Sequence, residues 1–126
     1  MIRTASYFNP QDFVGKLISI SGSEPPGAMI VGKLRMFAPP RNLVMALKHG
    51  HITWEQYEEI YKGQLDDLRQ TIECAPENAL AGIHMFVDVL SEDCTLLCWE
   101  HTPAHCHRRL VAEWLEREFG MTVEVR

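Results

Sequence analysis

Half of the six histidines and half of the four cysteines of this chain fall in one stretch, Cys98-Trp99-Glu100-His101-Thr102-Pro103-Ala104-His105-Cys106-His107-Arg108-Arg109. These are the residue types of thiol, anion and metal chemistry. A thiol near a helix start, beside histidines and arginines, has its pKa lowered, so Cys106 is a candidate nucleophile with Glu100 and His107 as candidate acid–base partners. The sixth position after Cys106 is Ala112, so the cysteine-to-arginine spacing of phosphatase and sulfurtransferase loops is missing. The unpaired N–H groups and positive dipole end of a helix favour anions, which makes Glu100, His105, His107 and Arg108 candidate ligand-binding residues. Cys98, His101 and Cys106 are ligand types that zinc prefers, but no paired C-x₂-C spacing joins them. No bound metal and no cofactor are therefore expected. Each residue also has a purely structural reading: His107 as a core histidine, Arg108 as an ion-pair partner of Glu100, and Cys98 as a buried strand thiol.

The elements that position this stretch follow from patterning. Residues 94–99, CTLLCW, form an apolar run of strand length, as expected where both faces are covered. Thr102-Pro103 reads as a cap and first helical residue, opening a helix over 103–119 with Leu110, Val111, Trp114, Leu115 and Phe119 inward and Gly120 as its stop. That start puts His107 just over one turn in, facing the sheet, with Arg108 at the edge of the apolar stripe, able to reach Glu100 or a bound anion. Residues 121–125 then make a last short strand.

Upstream, residues 2–8 and 17–20 read as strands, separated by a short helix that Asn9 caps and Pro10 begins. Residues 21–32, SGSEPPGAMIVG, read as a loop, and 34–40 as irregular. A helix over 41–49 ends at Gly50. Thr53 and Gln56 form a capping box for the next, whose apolar stripe is Trp54, Tyr57, Ile60, Tyr61, Leu65, Leu68 and Ile72. Pro76 opens a further helical stretch with Leu80, Ile83, Val87 and Leu90 on one face. Strands alternating with helices predict one α/β domain over 1–126, a layered sandwich on a mostly parallel sheet, Rossmann-like or flavodoxin-like, whose strand order the sequence does not fix. In such sheets ligands bind outside the carboxyl ends of the strands, where the 98–109 segment sits.

Composition narrows the classes. Apolar residues make up 46% and charged residues 23%, with a net charge of −5, as in an ordinary globular domain. The longest apolar run, residues 43–47, is far short of the roughly 20 that span a membrane. The first ten residues lack the apolar region of a secretory signal, so a cytoplasmic location and four free thiols are expected. A negative net charge excludes a global field for non-specific nucleic-acid binding. The expected function is binding of, or action on, a small anionic molecule, phosphate- or nucleotide-like, at the junction of strand 94–99 and helix 103–119. The alternative is a non-enzymatic interaction module with a protein partner, in which the Cys/His/Arg cluster is structural.

Cys98-Trp99-Glu100, followed after a short loop by Cys106-His107-Arg108-Arg109-Leu110-Val111-Ala112-Glu113-Trp114-Leu115, resembles the C-terminal signature of the DUF488 family of small bacterial, archaeal and phage proteins. Phe37-Ala38-Pro39-Pro40, then Gly50-His51-Ile52-Thr53 leading to Tyr57 and Tyr61, is similar to the family's middle portion. Thr4-Ala5-Ser6-Tyr7-Phe8, Ile18-Ser19-Ile20 and Pro25-Pro26 resemble one branch of it. The resemblance implies a compact cytosolic α/β domain, and it carries over no reaction. Ile18-Ser19-Ile20 stands where other branches have an Asp-Val-Arg-like strand, so a role for that acid and base is absent here.

Overall fold

A strand with no polar alternation must be covered on both faces. In the computed structural model, which describes residues 1–74 (72–74 by backbone only), 90, 92–100 and 105–126, every residue of Cys94–Cys98 is buried. The strands in chain order are β1 (Ile2–Ser6), β2 (Lys16–Ser19), β3 (Gly32–Lys33), β4 (Cys94–Cys98) and β5 (Val123–Val125). They form one sheet in the order β3-β2-β4-β1-β5, and each pairing is parallel. The α/β expectation holds in its layers and parallel sheet, and the strand order is this chain's own.

Register aligns the strand exits. Ser6 stands opposite Cys98 and Ser19 opposite Leu97. The ladder runs one residue further on each side, through Tyr7 N–H to Cys98 O (2.9 Å) and Ile20 N–H to Leu97 O (3.1 Å). Three carboxyl ends therefore meet at one edge, where the chain turns into loops. At the opposite edge Gly15, with φ +60°, feeds β2, and a Cβ there would lie 2.0 Å from the Asp93 carbonyl oxygen.

Among the described residues, the helices with bounds are α1 (Arg41–Lys48), α2 (Trp54–Cys74) and α3 (His107–Phe119). Thr53 and Gln56 make the reciprocal capping box, at 3.2 Å from Gln56 N to Thr53 Oγ1 and 2.9 Å from Thr53 N to Gln56 Oε1. Tyr57, Tyr61 and Leu65 are buried, with Trp54 and Leu68 packed at the margin. Ile60 leaves the expected stripe and is 53% exposed. Leu110, Val111, Trp114 and Leu115 of α3 are buried, Phe119 is partly so, and Gly120 closes the helix in the left-handed conformation with φ +65°.

Four boundaries depart from the sequence expectation. The first strand ends at Ser6, leaving Phe8 exposed. Pro10–Asp12 is a single 3₁₀ turn that Asn9 does not cap with its side chain. β3 occupies the end of the stretch read as a loop. The last helix starts at His107 rather than Pro103, because Cys106 is its N-cap, held extended at φ −133° and ψ 143°. Thr102 and Pro103, and most of the helical stretch expected after Pro76, lie outside the described residues; Leu90 is buried as expected. No helix among the described residues is long and apolar enough to cross a membrane.

Candidate functional site

The exit of β4 and the start of α3 bring two sulfurs together. Cys98 ends the strand, Cys106 caps the helix, and their Sγ atoms are 2.7 Å apart, with both residues buried. His107 follows as the first helical residue and is buried edge-on against Tyr61, with ring centroids 5.6 Å apart. Its Nε2 lies 2.7 Å from the Ile20 carbonyl. A carbonyl only accepts, so Nε2 carries the proton and Nδ1, 3.8 Å from Cys106 Sγ, carries the lone pair. Burial, opposed by the Ile20 hydrogen bond and reinforced by the Arg108 charge, lowers the His107 pKa to about 4.

Arg108 is completely buried. It donates through Nε to the main-chain oxygen of Arg126 (3.0 Å), and through Nη1 to Glu100 O (2.7 Å) and Cys98 Sγ (3.0 Å). Its Nη2 has no partner among the described residues. The expected partnership with Glu100 is thus made to the backbone carbonyl, while the Glu100 side chain is exposed. A later helix start explains the difference: Arg108 stands in the first turn, beneath the strand exit.

The thiols divide the proton unequally. Burial alone would raise the Cys98 pKa, but the hydrogen bond from Cys106, the charge and hydrogen bond of Arg108, and the Glu100 N–H bring it to about 7. Burial, the hydrogen bond with Cys98 and the Cys98 charge push Cys106 far up. The sequence offers Cys106 as a candidate nucleophile, but the Arg108 hydrogen bond goes to Cys98. The missed signal is Arg108, whose reach to Cys98 no spacing rule foretells. Cys94, at the far end of β4, is a third free thiol, pushed by burial to about 11. The Cys74 side chain lies outside the described residues.

A cavity of about 760 Å³ opens over the carboxyl ends of β2 and β4. Ser21 and Ser23 from the β2 exit, Arg41 and Lys48 from α1, Tyr57 from α2, and Cys98, Glu100, His105, Cys106 and His107 line it. Of the four expected ligand-binding residues, Glu100, His105 and His107 line this space and Arg108 lies behind it. Arg41 and Lys48, which sequence reasoning missed, supply positive charge at the wall. His105 stacks on Trp54 (5.0 Å, 19°), which stacks on Tyr57 (5.0 Å, 21°). Tyr57 continues to Tyr61 at 6.2 Å, and Arg109 lies 5.8 Å from the Trp54 ring centre.

Among the described residues, the group whose atoms could meet a metal ion is Cys98, Cys106 and His107, all within 4.8 Å of one another. His101, named with Cys98 and Cys106 from the sequence, lies outside the described residues. Two thiolates on a tetrahedral zinc ion keep roughly 3.8 Å between sulfurs, given Zn–S bonds of about 2.3 Å. At 2.7 Å the two sulfurs stand closer together than such a pair of ligands.

Comparison with known proteins bears on the same region. A family model described as the active DUF488-N3 subclade matches residues 29–119. No curated protein and no solved structure matches the chain. The matched span runs from just ahead of β3 to the end of α3, and so contains the sulfur pair, Arg108, Arg41 and Lys48. The chain belongs to the DUF488 family.

Proposed function

We propose that the cavity binds a small anionic molecule of phosphate or nucleotide type. The observation that carries this reading is the placing of Arg41 and Lys48 on the wall of a space of about 760 Å³ at the carboxyl ends of two neighbouring parallel strands, β2 and β4. Open parallel sheets bind ligands at that edge. Ser23 adds a hydroxyl to the lining that suits phosphate oxygens, and the outer face of His105, backed by Trp54, offers a base a stacking surface. The reading places the protein in the cytoplasm, where buried thiols stay reduced.

Thermal denaturation across a panel of inorganic phosphates and nucleotides tests it. A ligand at a hundredfold excess over its Kd stabilises the folded chain by about 2.7 kcal/mol, a shift of several degrees at this size. The Arg41→Gln/Lys48→Gln variant should keep its unliganded midpoint and lose most of that shift. If no anion moves the wild-type midpoint, the reading fails. The alternative, an interaction module with a structural cluster, draws support from the burial of His107 and Arg108 and their hydrogen bonds to main-chain oxygens. It requires that no anion stabilise the protein.

A further inference from the structure

We propose that Cys98 and Cys106 are a redox-active dithiol, closed to a disulfide by a small hydroperoxide. The inference does not depend on the anion reading, since the sulfurs sit at the base of the cavity whatever else occupies it.

Geometry carries the proposal. A disulfide needs its sulfurs at about 2.05 Å, and Cys98 and Cys106 already hold theirs at 2.7 Å, so closing the bond moves each by only about 0.3 Å. The two residues are fixed from different elements, one at the end of β4 and the other at the N-cap of α3. Arg108 Nη1 lies 3.0 Å from Cys98 Sγ, and a guanidinium beside a sulfur favours the thiolate, the form that attacks oxidants. Access selects the oxidant. Each cysteine is 1% exposed, yet both line the cavity, so hydrogen peroxide reaches the sulfur where a bulky disulfide such as oxidised glutathione is hindered.

The chemistry balances in two steps. The Cys98 thiolate attacks one peroxide oxygen, the O–O bond breaks, and the hydroxide that leaves takes a proton from solvent to become water. Sulfur has then given up two electrons and stands as a sulfenic acid. Cys106 sulfur next displaces hydroxide from Cys98 Sγ. The S–O bond breaks, the S–S bond forms, and the Cys106 proton leaves with the hydroxide as a second water. His107 Nδ1, with its lone pair 3.8 Å from Cys106 Sγ, stands where it can relay that proton. Dithiol plus peroxide gives disulfide plus two waters.

The test uses the full chain, reduced, freed of reductant and treated with a small excess of hydrogen peroxide. The expected result is a mass lower by two hydrogens, two of the four thiols lost to alkylation, and a Cys98–Cys106 cross-linked peptide, all reversed by dithiothreitol. Cys106→Ser should stop at a Cys98 sulfenic acid that dimedone traps, and Cys94→Ser should behave as wild type. The proposal is overturned if all four thiols remain alkylatable, or if the new bond maps to Cys74 or Cys94. It is equally overturned if protein isolated without chelator carries stoichiometric zinc that Cys98→Ser removes. Should the variants not fold, the wild-type mass and peptide map decide alone.

Discussion

The imidazole of His107 donates its Nε2 proton to the carbonyl of Ile20 at 2.7 Å, tying the first residue of α3 to the point where β2 leaves the sheet. The ring is neutral in that arrangement. Its other neighbours are the Tyr61 ring, the Cys106 and Cys98 sulfurs and the Arg108 charge, and none of these is a carboxylate.

Stability should therefore fall with acid. The folded protein holds the His107 pKa near 4, against about 6.5 in an unfolded chain. Between those values the unfolded state binds a proton that the folded state refuses, so stability rises with pH. The contribution is complete above about pH 6.5 and is lost as pH falls toward 4, up to about 3 kcal/mol in all. Urea midpoints measured from pH 7.5 to 4.5 should show the decline, and His107→Gln should flatten it. Identical slopes for the two proteins would assign the effect to other groups.

Arg108→Gln should destabilise the unliganded protein. It removes donors from two main-chain oxygens and from Cys98 Sγ, and hydrogen bonds from a charged group contribute roughly 1.5–3 kcal/mol each. A loss of about 3 kcal/mol in urea unfolding is expected, along with a Cys98 thiol that alkylates more slowly at neutral pH. An unchanged urea midpoint would show that the buried guanidinium stabilises nothing.

Much of this architecture is legible in the residues. The Thr53/Gln56 box and the CTLLC run each satisfy a local rule that tertiary structure keeps. Ile60 shows where such a rule stops, since periodicity places it on the stripe and no neighbouring element among the described residues covers it. β3 escapes because two residues, one a glycine, carry no pattern; Gly32–Lys33 is a strand only because β2 pairs with it. The sulfur pair escapes for a different reason. Cys98 and Cys106 meet through the register of β4 and the extended backbone of Cys106, neither of which their spacing encodes. Capping preference alone puts the start of α3 at Thr102-Pro103 and is silent on the extended backbone of Cys106, after which the helix begins.

Gly15→Ala should cost about 2 kcal/mol or more in thermal or urea unfolding. The residue sits at φ +60°, and the added Cβ would meet the Asp93 carbonyl oxygen at 2.0 Å, so backbone strain and a steric clash coincide. Gly27→Ala serves as the comparison: φ is +80° there and nothing lies within 4 Å, so only the strain remains. Equal losses at the two positions would mean that the Asp93 turn moves aside freely.

The strand register also sets a timetable. Ile2 pairs with Cys94 on one side and Val123 on the other, and β2 has, besides β4, only the two residues of β3. A chain leaving the ribosome thus carries β1 and β2 almost without partners until residues 94–98 have been made. Loop closure over such separations precedes the ladder hydrogen bonds that reward it, which slows folding of parallel sheets. In that interval the two strands are open to pairing with another nascent copy. The window in which the chain is exposed to aggregation opens with the synthesis of β1, narrows with that of β4 and closes with that of β5.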